Sequence, residues 1–254
     1  VIDNVDTIIS IFKEEAEAYQ NRGRRVIYFG HPLVDRFATR MPKNEARRRL
    51  SLPASASPVI SLFPGSRKQE VQRHLPILLE TAALLAADYP NALFLLSCVT
   101  PRYTQDCQRA LAAPALAKRL SNRVRLIEGQ SDFLLQSADL ALLSSGTITL
   151  EAALTQTPMV VIYRFSRLTE WIARKILHID IDHVSLPNIL MKQAVVPECL
   201  QKEAAPEFIA DTARGFLNSP ETMRRYEERL GKIREHLGSP PVTARIAREL
   251  SAIL

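Results

Sequence analysis

The sequence predicts a doubly wound α/β protein: a Rossmann-like parallel sheet flanked by helices, followed by a C-terminal helical tail. Three observations predict it. Short apolar runs alternate with helical stretches through most of the chain. The runs are continuous, not alternating, which marks strands buried on both faces. Strand–helix alternation in turn implies right-handed βαβ crossovers.

The elements follow in order. Val5–Phe12 reads as a strand and Lys13–Asn21 as a helix. Val26–Phe29 is a strand ending at Gly30-His31-Pro32. Lys43–Leu50 is a short basic helix and Pro53–Ser57 a loop. Val59–Phe63 (VISLF) is a buried strand, followed by a long helix over Arg67–Tyr89. Leu93–Val99 is a strand, and Arg102–Leu120 a helix. Val124–Ile127, Leu140–Leu143 and Met159–Tyr163 are strands. Asp132–Ser137, Thr147–Thr155 and Leu168–Leu177 are helices. From Pro206 onward the pattern changes to three helices. They are broken at Asn218-Ser219-Pro220 and Gly238-Ser239-Pro240-Pro241, where Gly and Pro punctuate the chain.

At 254 residues the chain can bury a core without staples. Its net charge of +6 favours anionic partners. The basic residues are scattered and no aromatic-interleaved basic motif occurs, so nucleic acid is not an expected partner. Cys98, Cys107 and Cys199 form no CxxC pair and read as packing residues of a reducing compartment. No apolar run is long enough to span a bilayer. His74, His178, His183 and His236 form no metal-binding spacing, and no metal or cofactor is expected.

Ligands of open α/β sheets bind at the C-terminal ends of the strands. Three junctions there carry candidate residues. In Phe63-Pro64-Gly65-Ser66-Arg67, Gly65 permits a tight turn and Ser66 reads as an N-cap. Gln69 would complete a capping box, and Arg67 offers a forked cation to phosphate. An ordinary capped turn would look the same. In Ser144-Ser145-Gly146-Thr147, small residues leave room for a second anion. Glu151 lies one helical turn on and suits two ribose hydroxyls; a capping or solvated Glu is the plainer alternative. The third, Val184-Ser185-Leu186-Pro187-Asn188, offers an amide at Asn188 that can donate and accept. His31 and Asp35 share a loop without a nucleophilic serine motif, and a structural role is expected of both. Leu168, Trp171, Ile172 and Ile176 share a helical face opposite Arg167, Arg174, Lys175 and His178. That pattern fits a core-facing helix with a basic exterior better than an interfacial membrane helix.

In order, the motifs are GHPLVD (Gly30–Asp35), PGSRKQEV (Pro64–Val71), SSGTITLEAAL (Ser144–Leu154), YR (Tyr163-Arg164), VSLPNIL (Val184–Leu190) and VVPECLQ (Val195–Gln201). The series resembles the lipid-A-disaccharide synthase family. The resemblance implies the C-terminal half of a GT-B glycosyltransferase. It implies residues 1–30 as the end of an N-terminal domain and linker, 31–205 as the UDP-sugar-binding domain and 206–254 as helices packing back. It also implies metal-independent, inverting transfer of 2,3-diacylglucosamine from its UDP derivative to 2,3-diacylglucosamine 1-phosphate, with release of UDP. By the same resemblance Arg67 and Asn188 touch the UDP or the reacting end of the donor. Gly65 and Ser66 line the site, Ser145, Gly146 and Thr147 cradle the diphosphate, and Glu151 holds the ribose. The expected partners are the UDP-diacylglucosamine donor and a lipid acceptor. The expected setting is the cytoplasm, with peripheral contact at the inner membrane and a homodimer. Family members carry an upstream domain that supplies the general base, and the chain opens at Val1. It is therefore expected to bind donor incompletely and not to turn over alone. The other readings are a non-catalytic UDP-sugar-binding fragment and a UDP-N-acetylglucosamine 2-epimerase-like enzyme. The epimerases carry paired acidic residues where SGTITLE has the single Glu151.

Overall fold

The computed structural model describes residues 5–98, 101–165 and 183–252. They form two compact units. One joins the chain up to Arg40 with the residues from Gly231 onward; the other is Met41–Leu230.

In the first unit, β1 (Thr7–Ile9), α1 (Lys13–Gln20) and β2 (Arg25–Ile27) make a small parallel βαβ arrangement with Thr7 opposite Arg25. Both strands are shorter than the apolar runs suggest. The Ser10 amide makes the last cross-strand bond, donating to the Ile27 carbonyl at 3.1 Å, and its hydroxyl, shared between the Phe12 carbonyl and Glu15, starts the turn into α1. A short helix, α2 (Leu33–Arg36), follows inside the GHPLVD motif. Gly30 has φ +108°, and a Cβ there would lie 2.6 Å from the Leu237 carbonyl oxygen. That close approach lets the His31 amide donate to the same oxygen at 2.8 Å. Asp35 accepts from the Val242 and Thr243 amides at 2.8 and 2.7 Å, satisfying the first N–H groups of the last helix, Val242–Ser251. The motif thus ties the two chain segments of this unit together.

The second unit begins with α3 (Lys43–Arg49), β3 (Val59–Phe63), α4 (Lys68–Asp88) and β4 (Leu93–Cys98). It continues with α5 (Pro101–Leu111), α6 (Pro114–Leu120), β5 (Val124–Glu128), α7 (Ser131–Ser137), β6 (Leu140–Ser144), α8 (Ile148–Leu154) and β7 (Met159–Tyr163). It ends with α9 (Leu186–Met191), β8 (Glu198–Leu200), α10 (Pro206–Leu217) and most of α11 (Pro220–Leu237). The six strands form one parallel sheet in the order β5-β4-β3-β6-β7-β8. Every residue of β3, β4 and β6 is buried, as their mostly apolar runs require. Ile60, Leu62, Phe94, Leu96 and Leu142 share a core cluster with Leu78 and Leu85 of α4. Each such side chain contributes roughly 1.5–3 kcal/mol. Ile209, Ala210 and Ala213 of α10 join the same cluster, so this helix packs on the body of its own unit.

Several elements differ from expectation. The single helix expected over Arg102–Leu120 is two, because Pro114 has no N–H and holds Ala113 in an extended conformation, ψ 126°. β8 is only three residues long, too short to announce itself, and pairs with β7 at the sheet edge. The two compact units meet at Arg40/Met41 and Leu230/Gly231. All three cysteines are buried, and burial pushes the Cys199 thiol up to about 11. The amphipathic helix read at Leu168–Leu177 lies outside the described residues. Among the described residues no helix is long and apolar enough to cross a membrane.

Asp139, just before β6, anchors α3 to the sheet. Its carboxylate accepts from Lys43 at 3.0 Å, Arg47 at 2.7 Å and the Val59 amide at 2.8 Å. Burial alone would raise its pKa, but the Lys43 charge, the Val59 N–H and Arg47 together hold it below the usual carboxylate range. The contribution is therefore present above about pH 4 and lost as pH falls through the lowered native value. Asp139→Ala is expected to cost about 2–4 kcal/mol, because it leaves two cations and an amide unpaired. Urea unfolding at neutral pH measures this; a loss within experimental error would refute the anchoring role.

Candidate functional site

β3 and β6 pair in register, with Phe63 opposite Leu143, so their C-terminal ends are level. β4 and β5 extend the sheet beyond β3, and β7 and β8 extend it beyond β6. The strand order therefore reverses between β3 and β6, where open α/β sheets form their ligand crevice. A cavity of about 260 Å³ sits there. It is lined by Pro64, Gly65, Ser66 and Glu70 on one side and by Ser144, Ser145, Gly146, Thr147 and Glu151 on the other. Phe63, Ser97, Ser131 and Ile148 complete the wall. The volume lies just under the roughly 300 Å³ lower end for small-molecule pockets.

The first turn is built around Gly65. Its φ is +120°, and a Cβ would lie 2.6 Å from the Glu70 Cβ. The capping box expected from Ser66 and Gln69 does not form; only a reciprocal carboxylate half is present, one residue later. Arg67 is the N-cap of α4, and Glu70 takes the reciprocal position. Glu70 Oε2 accepts from the Ser66 and Arg67 amides, each at 3.2 Å, and Oε1 from the Arg67 guanidinium at 3.1 Å. A carboxylate is a stronger acceptor than an amide and is favoured at the positive end of a helix, so it wins the position from Gln69. The Arg67 side chain is 82% exposed. It opens on a second cavity of about 320 Å³ shared with Lys68, Arg73, Tyr163 and Phe165, not on the wall of the first.

The second turn is held from below. The Ser145 hydroxyl donates to the Val184 carbonyl at 2.5 Å. The Thr149 amide and hydroxyl both donate to the Gly146 carbonyl, at 3.0 and 2.7 Å. Glu151, on the first turn of α8, accepts from the Ser131 hydroxyl at 3.1 Å, which aims its carboxylate along the cavity wall.

Asn188 is placed differently. It is 1% exposed. Its Nδ2 donates to the Val196 carbonyl and to Glu198 at 2.9 and 2.8 Å, and its Oδ1 accepts from the Val195 and Val196 amides, both at 2.8 Å. The four hydrogen bonds that an Asn side chain can make are thus all internal, and the cavity wall does not include it. Glu198 also accepts from the Val184 and Ser185 amides at 3.0 and 2.8 Å. Asn188 and Glu198 together fix the segment whose Val184 carbonyl holds Ser145.

His74 of α4 is buried. Its Nδ1 lies 3.2 Å from the Pro64 carbonyl, and its Nε2 accepts the Arg164 amide at 3.2 Å. Only the neutral tautomer with the proton on Nδ1 makes both bonds. Burial lowers its pKa. The ring ties the Gly65 turn to the end of β7.

The structure thus brings together Gly65, Ser66, Ser145, Gly146, Thr147 and Glu151, and keeps Arg67 and Asn188 off that wall. Sequence reasoning missed Glu70, Ser97, Ser131 and Glu198. Glu70 had a usable signal, an acid three residues after Arg67 at a helix start. Ser97 and Ser131 become visible only once the sheet brings β4, α7 and α8 together.

A family model described as lipid-A-disaccharide synthetase matches residues 1–240. The lipid-A-disaccharide synthase of Gloeothece citriformis is 33% identical over 250 residues, covering 98% of this chain and 63% of that protein. The chain spans a little under two thirds of the length of the first curated relatives it matches. Two solved structures share the fold at low identity. UDP-GlcNAc 2-epimerase from Neisseria meningitidis, bound to UDP-GlcNAc, superposes with a TM-score of 0.62 at 14% identity, covering 99% of this chain and 62% of that one. Anabaena Alr3699/HepE, in complex with UDP and glucose, gives 0.58 at 15% identity, with 97% and 63% covered.

The His74 bridge carries a pH signature. Because its native pKa is lowered, the unfolded chain takes up the proton first. The stability it lends is whole above about pH 6.5 and is lost as pH falls through the native value. His31, also lowered by burial, adds a contribution of the same sign. The melting temperature is expected to fall between pH 7 and 5, with a shallower fall in His74→Gln. Equal slopes for the two proteins would contradict the bridge.

Proposed function

We propose that this chain, which belongs to the lipid-A-disaccharide synthetase family, holds the UDP part of a UDP-sugar donor in the cavity between β3 and β6. One observation carries the reading. The Gly65 and Gly146 turns end neighbouring strands at the order reversal and share one cavity with Glu151. In this reading the backbone of Ser145, Gly146 and Thr147 cradles the diphosphate. Glu151, steadied by Ser131, accepts from the ribose hydroxyls. Gly65 and Ser66 form the facing wall. Arg67 reaches the diphosphate by swinging its exposed head across the turn, at little cost for so long and solvated a side chain. Asn188 acts through Glu198 and Val184 as a positioning residue for the Ser145 turn.

The activity we assign to the whole protein is inverting transfer of 2,3-diacylglucosamine from UDP-2,3-diacylglucosamine to 2,3-diacylglucosamine 1-phosphate, a step of lipid A biosynthesis that releases UDP. Donor cleavage leaves a diphosphate carrying new charge. Backbone N–H groups fixed around it, with the guanidinium that swings in, stabilise that charge as it develops. A lipid acceptor implies work at the cytoplasmic face of the inner membrane, and vesicle sedimentation with the donor bound tests that contact. Light scattering tests the homodimer. The likeness to the Neisseria epimerase, at 14% identity, concerns the fold alone.

Calorimetric titration with UDP tests the donor site. Glu151→Gln is expected to weaken binding by about tenfold, the loss of one or two charge-assisted hydrogen bonds. Arg67→Ala is expected to weaken it with a flattened salt dependence, because its contribution is a screened charge. A wild-type chain that takes no UDP, or a Glu151→Gln chain that binds it unchanged, would remove the basis for the reading.

A further inference from the structure

The Gly65 turn already holds an anion, supplied by the chain itself. Glu70 accepts from the amides of Ser66 and Arg67, both at 3.2 Å, and pairs with the Arg67 guanidinium at 3.1 Å. These are the donors that a phosphate group would recruit at the start of the 21-residue helix α4. Glu70 is 13% exposed on its side chain and borders both cavities, while Arg67, at 82% exposed, faces the second. The turn folds tightly over the carboxylate, since a Cβ on Gly65 would strike the Glu70 Cβ at 2.6 Å.

A diphosphate entering the first cavity therefore meets a carboxylate of its own sign on the wall. The Arg67 guanidinium is turned away and neutralised. Two like charges in a partly dry site repel strongly, and Arg67 cannot serve both anions at full strength. Glu70 is too well bonded to be a stray surface acid, and Arg67 is too exposed to be held there by packing.

Resting on the donor-site reading, we propose that Glu70 is a placeholder anion. It keeps the Gly65 turn in its binding shape while the cavity is empty, and it gives up Arg67 to the diphosphate when donor binds. Glu70 is thus a positioning residue, and it sets donor affinity by competing for Arg67. It also favours release, because after transfer the carboxylate is on hand to reclaim the guanidinium from the departing UDP.

The test is UDP titration of the wild-type chain and Glu70→Gln, with Glu70→Ser as a second uncharged variant should the first fail to fold. A residue that only scaffolds the turn would weaken UDP binding when replaced. A placeholder gives the opposite sign: the uncharged variants bind UDP about tenfold more tightly. The gain disappears when Arg67→Ala is combined with either of them, because the freed guanidinium is its source. Wild-type binding with unchanged or weaker binding by the uncharged variants overturns the placeholder and leaves the donor site standing. A gain that persists without Arg67 also overturns it. Absence of UDP binding by every protein overturns both.

Discussion

The parallel pairing of β3 with β6 puts Phe63 opposite Leu143, and the cavity exists because of that register. A slip of one residue would move one turn by about 3.3 Å relative to the other and turn a buried strand face over. Neither strand can afford it, since both are buried at every position. Core packing thus sets the distance between two loops that contain almost no apolar residues. His74 reinforces the arrangement from beneath by joining Pro64 to the end of β7.

Electrostatics works at a shorter range than the overall charge suggests. The chain carries a formal +6, yet the first cavity is bordered by two carboxylates, Glu70 and Glu151, with Arg67 turned outward. In the proposed donor site the general positive field draws in an anion, and the local contest among Glu70, Arg67 and the two turn amides sets how it is held.

The parallel sheet was legible because strands buried on both faces must be mostly apolar, and VISLF and LFLLSC are, with one serine in each. The two turns were legible because Gly65 and Gly146 adopt backbone conformations that other residues rarely reach. What stayed hidden depended on partners distant in sequence. Asn188 looks like an exposed turn amide until Val195, Val196 and Glu198 fold around it. Glu70 stood beside a plausible Gln69, and only the geometry of the helix start separates them. Pro114 was visible, but its weight against a helical pattern on both sides was not. β8, at three residues, carries too little pattern for any periodicity to register.

The relay from Glu198 through Val184 to Ser145 begins on the edge strand of the sheet. Edge strands have a neighbour on one side only and are among the first elements to open locally. Fraying of three residues there would slacken a loop two strands away without disturbing the core. The stiffness of the Ser145 turn is therefore borrowed from the least protected part of the sheet. Amide exchange along Glu198–Leu200 should keep pace with that of Ser145 and Gly146, although the two segments never pair.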